Sequence, residues 1–162
     1  MSGPFVPGVG AVLSADIAVP DHARVVHFYS RVLGTGAAPL WREDLMNNLG
    51  LPIIGLGMRT EEYADLPLQW MPHIQVADVA RSAARAVEGG GRELMHHRDD
   101  QGESQWAVLM DPFGAAFGII PVVPDEHIPP VPSASHEGDA EHGAGTKDPA
   151  VGSIRWVDLT VA

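Results

Sequence analysis

The chain repeats itself, and this limits its possible folds more than any other feature. Set over one another, Asp16–Arg24 (DIAVPDHAR) and His73–Arg81 (HIQVADVAR) share Ile, Val, Asp, Ala and Arg. Further along, and in the same order, Leu45–Gly50 (LMNNLG) lies over Leu109–Gly114 (LMDPFG). Two matches in one order point to a duplicated unit of about 60 residues.

The local chemistry of each copy agrees. Residues 12–19 and 70–76 alternate in polarity and are rich in β-branched side chains, the pattern of a strand. Asp21 and Asp78 follow where a helix needs an N-terminal acceptor. Val25, Val26, Phe28, Tyr29, Val32 and Leu33 then recur at helical spacing, and Gly34 stands where a helix ends. In the second copy Val79, Ala83 and Val87 do the same, and Gly89, Gly90 and Gly91 stop the helix. Three short strands follow each helix, near 37–42, 44–48 and 52–58, and near 92–97, 104–110 and 115–120. Each unit therefore reads strand, helix, strand, strand, strand. The fold class expected is α+β, two βαβββ modules forming a curved mixed sheet around a cleft.

The expected domain spans residues 9–123, with modules at about 11–58 and 68–121. Residues 124–151 are rich in Pro, Gly, His and acids, with no apolar period, and read as a flexible linker. Residues 152–162 restore order: Asp158–Ala162 (DLTVA) matches Asp16–Pro20 (DIAVP) and His73–Ala77 (HIQVA). They read as the first strand of a truncated second copy.

Charge and composition narrow the partners. A formal net charge of −11 disfavours nucleic acid and anionic membrane surfaces. With no cysteine, disulfides and thiolate metal sites are ruled out. Asp111, Pro112 and Gly114 interrupt the best apolar stretch, and Met1–Pro4 carries no cationic start of a secretory signal. A cytoplasmic location is the expectation. No Gly-rich loop fits a phosphate motif, because Gly89–Gly91 closes a helix, and no Ser or Cys nucleophile motif occurs.

Two tandem βαβββ units, with FYSRVLG at Phe28–Gly34 and DPFG at Asp111–Gly114, resemble the vicinal oxygen chelate superfamily. It includes glyoxalase I, extradiol dioxygenases and the bleomycin and fosfomycin resistance proteins. The tandem layout resembles two-domain glyoxalase-like proteins. The resemblance implies a cleft between the modules. In metal-using members it also implies four ligands from the first and last strands of each unit. Those places fall on Ser14, Met71, Ile54 and Gly118. None is a carboxylate or imidazole, which a hard divalent ion requires. The expectation is no metal and no cofactor.

Strand alternation puts Ser14, Asp16 and Ala18 on one face, and Met71, His73 and Gln75 on the equivalent face. Asp16 and His73 are repeat-equivalent. A carboxylate that orients an imidazole suits acid–base chemistry, so these two are the candidate catalytic pair. A polar pair that merely ties two strands together is the competing reading. Candidate ligand-binding residues are Trp41, Arg42, Asn47, Trp70, Gln75, Gln105 and Trp106, with Asp44 and Asn48 on the same wall. Ordinary core and edge packing explains the tryptophans equally well. His96 and His97 are expected in an exposed loop, and His127, His136 and His142 in solvated linker.

The function expected is that of a glyoxalase/bleomycin-resistance-like protein that binds a small molecule without metal. One alternative is a lyase or isomerase using His73 and Asp16. Another is a metal-dependent glyoxalase- or dioxygenase-like enzyme with atypical ligands such as that pair. The expected partners are a small-molecule ligand and either a second copy of the chain or an intact second domain.

Overall fold

Two copies of one module form a single eight-stranded sheet whose strand order is mirrored about its middle. The computed structural model describes residues 8–33, 40–41, 44–46 and 52–124. The first module contains β1 (Val12–Val19), α1 (His22–Leu33), β2 (Leu40–Trp41), β3 (Asp44–Met46) and β4 (Pro52–Met58). The second contains β5 (Met71–Val76), α2 (Val79–Glu88), β6 (Arg92–Arg98), β7 (Ser104–Met110) and β8 (Ala116–Pro121). A short 3-10 helix, Glu61–Tyr63, interrupts the connection between modules. The sheet order is β2-β3-β4-β1-β5-β8-β7-β6. Within each module the first and last strands run parallel, and the two first strands meet antiparallel at the centre. This is the α+β architecture expected from the repeat.

The signals read from the sequence act as supposed. Asp78 accepts the Arg81 backbone N–H at 2.8 Å, and Asp21 accepts that of Arg24 at 3.1 Å, so each helix begins on a carboxylate. Asp111 Oδ1 accepts two backbone N–H groups, from Phe113 and Ala115, each at 2.9 Å, and closes the β7–β8 turn. Gly114 holds φ +97° there, a conformation that a side chain would strain.

The core divides by sheet face. Val79 and Ala83 of α2 pack on Ala107, Leu109 and Ile119. On the other face Leu66, Met71, Val108 and Ala116 form a second cluster, with Tyr63 and Trp106 against it. Helix α1 has no fully buried residue. Phe28 and Val32 are exposed although they belong to its apolar repeat, because that stripe is wider than the surface it covers. Among the described residues no helix is long and apolar enough to cross a membrane.

One expectation is corrected. His96 and His97 stand within β6, not in a loop. Their strand pairs with β7 as far as Arg98, so polar side chains at the hairpin end are carried on ladder hydrogen bonds. Alternation sends them to opposite faces. His96 bonds Glu93 and Ser104, each at 2.8 Å, while His97 stacks on Trp106. The linker at 124–151, apart from Pro124, and the strand at 152–162 lie outside the described residues.

Candidate functional site

The seam between the modules generates the site. Where β1 and β5 cross antiparallel, Asp16 pairs with Met71 and Ser14 with His73. Asp16 and His73 are therefore brought side by side by the pairing that joins the two halves. His73 Nδ1 lies 3.1 Å from Asp16 Oδ2 and 3.2 Å from the Met71 carbonyl oxygen. The other carboxylate oxygen, Oδ1, accepts the Gly55 N–H at 3.2 Å. His73 is buried and Asp16 only partly so.

Both neighbours of Nδ1 are acceptors, so Nδ1 carries the ring proton. In the uncharged ring Nε2 is then a free lone pair. Nε2 has no hydrogen-bond partner among the described residues, yet it is not among their buried, unpartnered polar atoms, which are His22 Nε2 and Arg59 Nη1. It is therefore not fully sealed, and the Cδ2–Nε2 edge of the ring lies over Gly118 beside the cleft that His73 lines.

That cleft has a volume of about 310 Å³, at the small end of ligand sites. The first module contributes Asp16, Ile17, Ala18, Gly55 and Gly57. The connection contributes Tyr63 and Leu66, and the second module Met71, His73, Trp106, Val108 and Ile120. Arg59 fixes the connection in place. Its Nη2 donates to the carbonyls of Ala64 and Leu66, each at 2.6 Å, and its backbone N–H bonds Val19 O at 2.9 Å.

Two glycines make this packing possible. Gly55 is paired with Asp16, and Gly118 with His73, each across a parallel strand pair. A Cβ on Gly55 would collide with the Asp16 carboxylate, and one on Gly118 with the His73 imidazole. The motif thus occurs twice, a polar first-strand residue lying over a last-strand glycine. Counting from the turn glycines equates Ile54 with Gly118, but pairing equates Gly55 with Gly118. A register irregularity between Leu45 and Met46 in the β3–β4 ladder accompanies the one-residue offset. Neither glycine announces its role in sequence, because it depends on alignment with a distant strand.

The remaining candidates are scattered. Trp106 lines the cleft, and His97 stacks on its indole at 5.4 Å between ring centroids. Trp70 lies edge-on to Tyr29 of α1, away from the cleft lining. Gln75 is fully buried, and its Oε1 accepts the Val123 N–H at 3.0 Å, which ties the chain after β8 to β5. Gln105 donates to Asp99 Oδ2 at 2.8 Å and braces the β6–β7 hairpin. Trp41 is placed in β2 and Asp44 in β3 by their backbones, while Arg42, Asn47 and Asn48 lie outside the described residues. Tyr63 and Leu66 were missed by sequence reasoning, since a connector gives no period to follow.

A family model described as a glyoxalase-like domain matches residues 13–120. The chain belongs to that family. The match spans both modules and agrees with the mirrored sheet order, and with the vicinal oxygen chelate superfamily to which the motifs pointed. No curated protein matches the chain.

The metal ligands of that superfamily find no equivalents here. Position 118 is glycine, and the His73 imidazole fills the space where its side chain would begin. Met71 is buried among Leu66, Val108 and Ala116. Ser14 does not line the cleft, and Ile54 has no donor atom. Among the described residues no three His, Asp or Glu side chains gather to hold an ion. The four positions at which the superfamily places its ligands offer no carboxylate or imidazole to a hard divalent cation.

Proposed function

We propose that the chain is a small-molecule-binding protein of the glyoxalase/bleomycin-resistance type, holding an organic ligand in the seam cleft without metal. The observation that carries this reading is the hydrogen-bonded Asp16–His73 pair at the floor of a mostly apolar cleft between the modules. Apolar walls supply affinity through area removed from water, and a few fixed polar groups supply orientation. Protein purified and kept in chelator, then screened by native mass spectrometry and thermal shift against small organic molecules, is expected to bind one-to-one. Binding that appears only on adding a divalent ion would reject the metal-free reading.

A second reading is favoured by the geometry at His73. An imidazole with Nδ1 held by a carboxylate and Nε2 left free is arranged as a general base. A lyase or isomerase would use Nε2 to take a proton from bound substrate, and Asp16 would stabilise the imidazolium that results. His73→Ala separates the two readings. A binding protein loses affinity and has no turnover to lose, whereas an enzyme loses turnover by orders of magnitude with less effect on binding.

A further inference from the structure

We infer that the cleft selects an uncharged, flat aromatic molecule bearing a hydroxyl or ring N–H, which donates its hydrogen bond to Nε2 of His73, and that it rejects anions. This rests on the small-molecule reading above and assigns it a ligand class.

While the ring is uncharged, the Asp16–His73 pair at the floor offers the cleft acceptors rather than donors. Asp16 presents a carboxylate, and its two oxygens already serve His73 and Gly55. In the uncharged ring the Nδ1 proton of His73 is committed to Asp16 and the Met71 carbonyl, which leaves Nε2 as an acceptor. No Lys or Arg is among the described residues that line it. A bound carboxylate or phosphate would face Asp16 with no cation among the described lining residues to offset it, in a half-enclosed space where repulsion is strong. A donor group meets the opposite situation, since it satisfies a lone pair that otherwise has only water. Trp106 and Tyr63, with Leu66, Met71 and Val108, form walls that favour a flat apolar body. A cleft of about 310 Å³ suits one or two fused rings rather than a large molecule.

Gly118 is what makes this selection possible. Its missing Cβ is the space that the imidazole occupies. A carboxylate side chain at that position would expel the ring and bring a second acid to the floor. The glycine thus sets what the cleft accepts, although it contributes no atom to the contact.

The test is a calorimetric titration of the full chain near neutral pH with three probes of one shape: 2-naphthol, 2-methoxynaphthalene and 2-naphthoate. The naphthol is expected to bind roughly fivefold more tightly than its methyl ether, the worth of one typical net hydrogen bond. The naphthoate is expected to be the weakest, by about tenfold or more against the naphthol. His73→Ala is expected to abolish the preference for naphthol over the ether while both still bind. If all three probes bind the wild-type chain equally, or the naphthoate binds best, the ligand class is wrong and the small-molecule reading stands. A preference that survives His73→Ala also rejects it. If none of the probes binds while the screen yields another one-to-one ligand, the class falls and the small-molecule reading stands; if neither probes nor screen give binding, both fall. The wild-type ranking needs no variant, so a poorly folding His73→Ala does not blunt the test.

Discussion

His73 Nδ1 and Asp16 Oδ2 stand 3.1 Å apart, although the two residues belong to different modules and hold the same place in each. A duplicated unit that pairs its first strands antiparallel carries equivalent residues toward a shared axis. Once one copy has a carboxylate and the other an imidazole, that symmetry yields a chemically unequal pair. Neither module alone contains the site.

The pair fixes a tautomer that can be observed directly. Free histidine in water mixes its two neutral forms, but here both acceptors lie at Nδ1. Imidazole nitrogen-15 shifts are expected to place the proton of neutral His73 on Nδ1. Asp16→Leu leaves only the Met71 carbonyl at Nδ1 and is expected to weaken that preference. A wild-type ring protonated at Nε2 would contradict the orientation derived for the cleft.

Glycine at 118 is required by packing, whereas glycine at 57 is not. A Cβ on Gly118 would strike the His73 ring, but one on Gly57 would meet nothing within 4 Å. Gly118→Ala is expected to cost about 1–3 kcal/mol, as overpacked interiors do, and to displace the imidazole. Gly57→Ala is expected to be neutral or slightly stabilising, since glycine in a strand carries an entropic penalty. Urea denaturation of both variants checks the contrast, and equal costs would mean that the ring yields easily.

The sequence foretold the modules more fully than the site. Alternation at 12–19 and 70–76, carboxylates at Asp21 and Asp78, and the turn at Asp111–Gly114 are local signals, and each acts where it stands. Asp16 and His73 could be matched because duplication makes them equivalent. Gly55 and Gly118 could not be understood that way, because their role arises from register between strands far apart in the chain. Gln75 shares a face with His73 but lies further along β5, where Val123 covers it. His96 and His97 suggested a loop because hairpin ends are polar, yet ladder pairing extends past them. Tyr63 and Leu66 enter the cleft from a connector with no periodicity to betray them.

The N-terminal carboxylate of α2 should matter to stability and not to the cleft. Asp78 accepts the Arg81 N–H at 2.8 Å, and neither residue lines the seam. Asp78→Ala is expected to cost about 1 kcal/mol in chemical denaturation, with affinity for a cleft probe unchanged. A loss of affinity would mean that helix and cleft are coupled through the sheet.

Arg59 is expected to show the reverse emphasis. Its guanidinium holds two carbonyls of the connection at 2.6 Å, and through them sets the positions of Tyr63 and Leu66 on the cleft wall. Arg59→Met keeps much of the apolar stem and deletes both bonds. Hydrogen bonds from a charged donor each contribute about 1.5–3 kcal/mol, but carbonyls freed near solvent recover part of that from water. A stability loss of about 1–2 kcal/mol is therefore expected. Affinity should fall further than stability alone explains, because the bound state must re-order a wall that the free state has released. Titration with 2-naphthol alongside urea denaturation reads both effects. Unchanged affinity in a destabilised Arg59→Met chain would show that the connection is no part of the binding surface and would leave the cleft to the two modules alone.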